Sequence, residues 1–358
     1  MSKHFLIMAG GTGGHVYPAL GFAELARKSG YKVSWLGTEH GLEARVVPAN
    51  RIEFHCIEIS GVRGKGVKSL VSAPVKIIKA IHQARKIMKK PRPDLVIGFG
   101  GYSAGPGGVA ARMAGIPLVI HEQNAIAGTT NKLLSRIASR VLCGFEQALP
   151  TALTVGNPVR EEILNIPEKH HEAVNDPQWR PRLLILGGSL GARFLNESVP
   201  VALKNVAPDQ RPMVRHQAGP KLLDEAIDSY AKAGVKAEIT AFIEDMAEAY
   251  QWADLVVCRA GAMTVSEIAV AGLPALFVPF PHAIDDHQTA NANWLVSVNA
   301  ALLYQQSEQD LNRFGLLLTE LLQDQERLVQ MSAKARTKGI RNSAQQILKQ
   351  CEELTHVA

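Results

Sequence analysis

The feature that most narrows what this chain can fold into is an opening that it uses twice. Near the N-terminus the apolar run Phe5-Leu6-Ile7-Met8 gives way to Gly10-Gly11-Thr12-Gly13-Gly14-His15 and then to a helical pattern with Pro18 in its first turn. In the second half, Arg182-Leu183-Leu184-Ile185-Leu186 leads into Gly187-Gly188-Ser189-Leu190-Gly191-Ala192 and a helix reaching about Leu203. A short apolar run bounded by glycines reads as a strand buried on both faces, and the helix after it completes a unit of a parallel sheet. Further strands are expected near 213–217, 236–241, 255–258 and 274–278, alternating with helices at 221–233, 245–252 and 264–271. Two such openings predict an α/β chain of two doubly wound domains. Its 358 residues are enough for two cores. The polar, proline-bearing stretch 166–181 puts the boundary near 158–166, and His170 and His171 within it read as solvated. A last helix at about 342–355 lies beyond the second sheet and is expected to pack back onto the first domain.

The second domain carries the sharpest local signal, Arg259-Ala260-Gly261-Ala262-Met263-Thr264-Val265-Ser266-Glu267, placed after the strand Leu255-Val256-Val257-Cys258. A helix starting near Thr264 turns its free N–H groups and positive dipole end toward the loop, which makes an anion site. Glu267, one turn in, is placed to accept from vicinal hydroxyls such as those of a ribose. The same residues also fit an ordinary capping box between Thr264 and Glu267.

In the first domain, glycines 10, 11, 13 and 14 let backbone N–H groups approach a ligand closely. Val16 occupies the place of the third glycine in a dinucleotide fingerprint, although Glu39 after the second strand keeps a dehydrogenase open. His15 sits where loop becomes helix. The positive dipole end there disfavours charge on the ring and keeps it available as a base, while a histidine satisfying a loop carbonyl fits equally well. The strand Asp94–Gly98 opens into a second glycine-rich loop, 99–108, ahead of a helix at Val109–Ala114. Pro117-Leu118-Val119-Ile120 then leads to His121-Glu122-Gln123-Asn124. In an open parallel sheet such loops gather at the carboxyl edge, which draws attention to His121, Glu122 and Asn124. In the loop 281–291, His282, Asp285, Asp286 and His287 resemble metal ligands. No DxD motif accompanies them, so no metal and no other cofactor is expected.

Charge is unevenly divided. Residues 1–160 carry 21 Lys and Arg against 8 Asp and Glu, and the remainder carries 18 against 25. The first domain is therefore the one that faces a large anion. With 6% aromatic residues and no helix-turn-helix signature, nucleic acid is not expected. The basic glycine loop 60–68 and the helical stretch Pro74–Lys90 point instead to anionic lipid. In that stretch Val75, Ile77, Ile78, Ile81, Ile87 and Met88 alternate with Lys76, Lys79, Arg85, Lys86, Lys89 and Lys90. A crossover helix with a solvated basic face is the plainer alternative. No apolar run reaches the ~20 residues of a bilayer span, and no signal peptide is visible. The four separated cysteines suggest a reducing compartment.

Taken together, Gly-Gly-Thr-Gly-Gly-His at 10–15, Gly-Gly-Tyr at 100–102, His-Glu-Gln-Asn at 121–124 and Gly-Asn-Pro-Val-Arg at 156–160 resemble the MurG family of peptidoglycan glycosyltransferases. Gly-Gly-Ser-x-Gly-Ala at 187–192 and the 259–267 segment extend the likeness, in order, from residue 3 to about 340. The resemblance implies a GT-B fold, two Rossmann-like domains facing across a cleft, with domain one at 1–160 joined by the helix at about 341–358 and domain two at 161–340. It implies transfer of GlcNAc from UDP-GlcNAc to the MurNAc 4-hydroxyl of undecaprenyl-diphospho-MurNAc-pentapeptide, at the cytoplasmic face of the bacterial inner membrane. Carried over by position, the donor contacts are Thr12, Gly13, Gly14, Asn124, Arg160, Ser189, Ile243, Ala262, Met263, Thr264, Val265, Ser266, Glu267 and Gln288. His15 is the expected base, with Glu122 second. Met263 stands where leucine is common in the family, a volume-preserving change with no expected effect. A UDP-sugar 2-epimerase and a non-catalytic nucleotide-binding module remain alternatives, since both share the architecture.

Overall fold

The computed structural model describes residues 2–60, 66–168, 179–306 and 310–356. Residues 61–65 of the basic glycine loop, and His170 and His171, lie outside them. Contacts divide the chain into Met1–Arg160 with Arg341–Ala358, and Glu161–Ile340.

The first unit runs β1 (His4–Ala9), α1 (Gly13–Lys28), β2 (Lys32–Gly37), α2 (Leu42–Ala49), β3 (Glu53–Cys56) and α3 (Gly66–Ile87). It continues with β4 (Leu95–Gly100), α4 (Ala104–Met113), β5 (Leu118–Glu122), α5 (Thr129–Leu134), β6 (Arg140–Cys143) and β7 (Leu153–Thr154). All neighbours pair in parallel in the order β3-β2-β1-β4-β5-β6-β7. The order reverses between β1 and β4, and the crevice outside such a reversal is where open parallel sheets bind ligands.

The second unit runs α6 (Glu161–Leu164), β8 (Arg182–Leu186), α7 (Arg193–Lys204), β9 (Met213–Gln217), α8 (Leu223–Ala233), β10 (Glu238–Thr240) and α9 (Met246–Trp252). It then takes β11 (Leu255–Cys258), α10 (Ala262–Ala271), β12 (Ala275–Phe277), α11 (His287–Val296), β13 (Ala301–Leu303), α12 (Leu311–Gln323) and α13 (Gln325–Lys338). Its parallel sheet has the order β10-β9-β8-β11-β12-β13, the same winding as the first.

The final helix, α14 (Ser343–His356), belongs to the first unit. Ile347 and Cys351 are fully buried in the cluster that holds Phe5, Ile7 and Phe22. Each such apolar side chain contributes about 1.5–3 kcal/mol. Tyr31 Oη donates to Glu352 (2.8 Å) and Lys3 Nζ to the Thr355 carbonyl (2.6 Å), so polar contacts fix the seat that apolar packing selects.

Four helices start earlier than the sequence expectation, while α8 starts two residues later than expected, at Leu223. α1 begins at Gly13, because the Thr12 carbonyl already accepts from the N–H groups of His15 (3.1 Å) and Val16 (3.2 Å). Pro18 therefore lies in the second turn. α3 begins at Gly66 rather than Pro74. α10 begins at Ala262, two residues before Thr264. α4 begins at Ala104, which moves Gly105, Gly107 and Gly108 from loop into helix. A Cβ on Gly107 would run into Met8 and Leu36, and one on Gly108 into Leu134. These glycines let a helix approach the sheet closely, and ligand approach is not what requires them.

The four cysteines are free. No described helix is long and apolar enough to cross a membrane.

Candidate active site

In the second unit the predicted residues fall after four strands of one sheet: Ser189 and Ile243 on the loops after β8 and β10, 262–267 at the start of α10 after β11, and Gln288 at the start of α11 after β12. The last three of these strand positions are carboxyl ends in a fully parallel sheet, as is the first, so the loops share one edge. α10 has Gly261 as its N-cap (φ −65°, ψ 144°), and no side chain caps it. The N–H groups of Ala262, Met263 and Thr264 thus have no acceptor within the helix and face the loop. Side chains do cap some other helices: Asp245 accepts from Glu248 N, and Asp310 from Arg313 N.

The capping-box alternative does not form, because Thr264 is the third helical residue and Glu267 the sixth. Val265 is fully buried, and the Ser266 hydroxyl bonds back to the Ala262 carbonyl at 2.9 Å. Their side chains are therefore committed inward. Glu267 is buried, with its Oε2 held by Tyr250 Oη at 3.1 Å, and Met263 and Thr264 are half-buried.

Three residues that sequence reasoning passed over hold these loops. Gln217 Nε2 donates to the Gly188 carbonyl (2.9 Å), while its Oε1 accepts from Ile243 N (3.1 Å). A base pairing with the Ile243 backbone therefore competes with Gln217 for that N–H. Arg259 Nη1 donates to the carbonyls of Val278 (3.0 Å) and Pro279 (3.1 Å), and burial pulls its guanidinium down to about 10. Asn291 Nδ2 fastens the Ala260 carbonyl at 3.1 Å. Gln288 is partly engaged too, its Oε1 accepting from Phe280 N at 2.9 Å. Of the metal-like quartet, His282 packs edge-on to Phe280 and Asp286 accepts from Thr289 Oγ1 (2.7 Å).

In the first unit, β1, β4 and β5 are neighbours, which brings their three loops to one edge. Gly101 (φ +88°) lies against the Gly10 backbone, and Gly100 (φ +107°) lies under the His15 ring. A side chain at either position would be blocked by a hard contact as well as by the left-handed backbone. The two glycine motifs are thus one contact. His15 is half-buried, with Nδ1 2.9 Å from Gln123 Oε1. Thr12 and Gly14 are exposed and Gly13 half-buried at the start of α1, which no side chain caps. Asn124 is half-buried, and Arg160, also half-buried, ends the unit.

Two sequence candidates change character. Glu122 is buried and accepts from Asn124 N (2.9 Å), Asn124 Nδ2 (3.2 Å), Gly128 N (3.0 Å) and Asn131 Nδ2 (2.9 Å). Four donors occupy its oxygens, so it orders the 122–131 loop and is set aside as a base. His121 is fully buried, its Nε2 donating to the Gly156 carbonyl (2.8 Å), and burial pushes the ring down to about 4. Glu43, unnoticed in the sequence, sits beneath the first glycine loop. Its carboxylate accepts from Gly11 N (2.9 Å), Thr38 N (3.0 Å) and Thr38 Oγ1 (2.7 Å).

Comparison with known proteins agrees with both halves of this picture. Residues 5–143 match the glycosyltransferase family 28 N-terminal domain and residues 182–347 its C-terminal domain. A UDP-N-acetylglucosamine–N-acetylmuramyl-(pentapeptide) pyrophosphoryl-undecaprenol N-acetylglucosamine transferase of Aeromonas hydrophila is 51% identical, over 99% of this chain and 98% of that one. The protein of the same name from Stutzerimonas stutzeri is 48% identical, over 99% and 100%. The crystal structure of Acinetobacter baumannii MurG superposes with a TM-score of 0.86 at 43% identity, over 98% and 99% of the two chains. The chain is a GT-B enzyme belonging to glycosyltransferase family 28, among its N-acetylglucosamine transferases.

Proposed function

We propose that this chain transfers N-acetylglucosamine from UDP-N-acetylglucosamine to the N-acetylmuramyl 4-hydroxyl of an undecaprenyl-diphosphate-linked pentapeptide, a step of peptidoglycan synthesis. The observation that carries the reading is end-to-end identity of about half with relatives of that name. In this reading the second unit holds the donor. The uncapped start of α10 and Ser189 take the diphosphate, Glu267 the ribose hydroxyls, and the Ile243 backbone the uracil. Gln288 and Asn124 read sugar hydroxyls, Arg160 adds positive charge, and Thr12, Gly13 and Gly14 line the reacting end. Donor α-linkage and product β-linkage require one displacement. His15 takes the proton of the attacking hydroxyl as the new bond to the anomeric carbon forms, and UDP departs with the electron pair of the broken bond. Incubation of UDP-N-acetylglucosamine with and without the lipid-linked acceptor tests the reading. UDP release should depend on the acceptor and be matched by a glycosylated lipid. Epimerised nucleotide sugar formed without acceptor would sink it.

The first unit is also read as the membrane-facing one, attached peripherally at the cytoplasmic face of the inner membrane. On α3, Ala73, Ala80 and Ala84 are buried and Ile81 and Ile87 pack against the core, while Val75 (71% exposed) and Ile78 (67%) point outward among lysines. Apolar side chains on the open face of a basic helix suit an anionic bilayer surface. Lys79 is partly neutralised by Glu58 at 2.6 Å, so charge alone is not the whole attraction. Changing Lys76, Lys79, Lys86 and Lys89 to Glu should abolish co-flotation with anionic vesicles. Undiminished flotation would count against the lipid reading.

A further inference from the structure

We propose that Gln123 and His121 are positioning residues that fix which nitrogen of His15 carries its proton, leaving Nε2 as the basic atom. The inference rests on the reading of His15 as the base. His121 Nε2 lies 2.8 Å from the Gly156 carbonyl, which can only accept, so the proton of His121 is on Nε2. The ring is fully buried and neutral, so its Nδ1 is a lone pair. The charged group that acts on it is the Glu122 carboxylate. Gln123 presents its amide nitrogen to that lone pair (3.0 Å) and to the His121 carbonyl (2.9 Å). Both amide hydrogens are thereby used toward His121, and the amide oxygen must point the other way.

That oxygen lies 2.9 Å from His15 Nδ1. Since a carbonyl oxygen cannot donate, Nδ1 must, and a neutral His15 is left with its lone pair on Nε2. The orientation of the amide is therefore dictated from the far end of the chain of bonds, at Gly156. Packing prevents the relay from turning. Gln123 is fully buried, its own carbonyl is held by Asn157 Nδ2 (3.1 Å), and the His121 carbonyl also accepts from Asn131 Nδ2 (3.3 Å). On the His15 side, the absence of a side chain at Gly100 leaves room for the ring, since a Cβ there would come within 3.0 Å of Nδ1 and Cε1. The sequence motifs at 10–15, 100–102, 121–124 and 156–160 thus meet in one device.

The test reads the tautomer directly. In the wild type, the nitrogen NMR spectrum of His15 should show a protonated Nδ1 and an unprotonated Nε2 above the titration of the ring. Gln123→Met keeps length but removes all three side-chain hydrogen bonds, the one to His15 and the two to His121. It should give a mixed tautomer and lower kcat about 10-fold or more, with KM values within about twofold. Gln123→Glu restores an acceptor, so kcat should return toward wild type. The acidic limb of its pH profile should move to higher pH, because a carboxylate at Nδ1 favours the imidazolium. An unchanged tautomer and pH profile in Gln123→Met would overturn the proposal. Should that variant melt below the assay temperature, an unmoved acidic limb in Gln123→Glu would overturn it instead. His15→Ala separates the two claims: full turnover there refutes the base, whereas the tautomer spectrum refutes or supports the relay by itself.

Discussion

Turnover of the His15→Ala variant is expected to fall by about 10²–10⁴-fold, with donor and acceptor KM values changed only a few-fold. A sugar hydroxyl is a poor nucleophile until its proton is removed. Of the three described candidates at this edge of the first unit, His15 keeps one ring nitrogen outside the hydrogen bond to Gln123. Glu122, the other candidate, has four donors on its carboxylate, and His121 is sealed away from substrate. The effect belongs in kcat because the proton moves only as the bond forms. Removing the ring should cost little stability, since it is half-buried and rests on a glycine. Steady-state kinetics on an extract-free lipid-linked acceptor decides the matter. A variant that turns over at the wild-type rate while binding both substrates removes His15 from the chemistry.

Both sheets were legible in the sequence because most of their central strands are buried on both faces and read as apolar runs, the polar Met-Val-Arg-His-Gln at 213–217 being an exception. Leu255-Val256-Val257-Cys258 and Met213–Gln217 lie where the pattern puts them. The strands β3, β6, β7 and β13 escaped, all only two to four residues long and all but β6 at a sheet edge. Helix starts were misplaced where glycine was read only as a loop former. At Gly107 and Gly108 the deciding fact is the distance to Met8 and Leu134, residues far away in the chain. The site was half visible for the same reason. Loop glycines and His15 announce themselves locally, whereas Glu43, Gln123 and Gln217 act through partners 32, 108 and 26 residues away.

Glu267→Gln is expected to lower kcat/KM for UDP-N-acetylglucosamine by about 10–100-fold, chiefly through a higher donor KM. A hydrogen bond to a charged group contributes about 1.5–3 kcal/mol, and the ribose is bound alike in ground and transition states. Glutamine keeps an oxygen for Tyr250 Oη, so the fold should be nearly undisturbed and melting close to wild type. UDP as a product inhibitor should weaken in parallel. A nucleotide lacking the 2′- and 3′-hydroxyls should bind both proteins almost equally, because the lost contact is the one it never makes. Equal affinity of wild type and variant for UDP would remove Glu267 from the donor site. It would also redirect attention to the glycines at 10–14, where the physics is unfavourable for a diphosphate. There the Glu43 carboxylate already occupies the N–H of Gly11 and places an acidic group under the loop. α10, like α1, has no side-chain cap and leaves its first-turn N–H groups for a ligand, and the Glu43 carboxylate under the first loop agrees with the family resemblance in placing the nucleotide in the second unit.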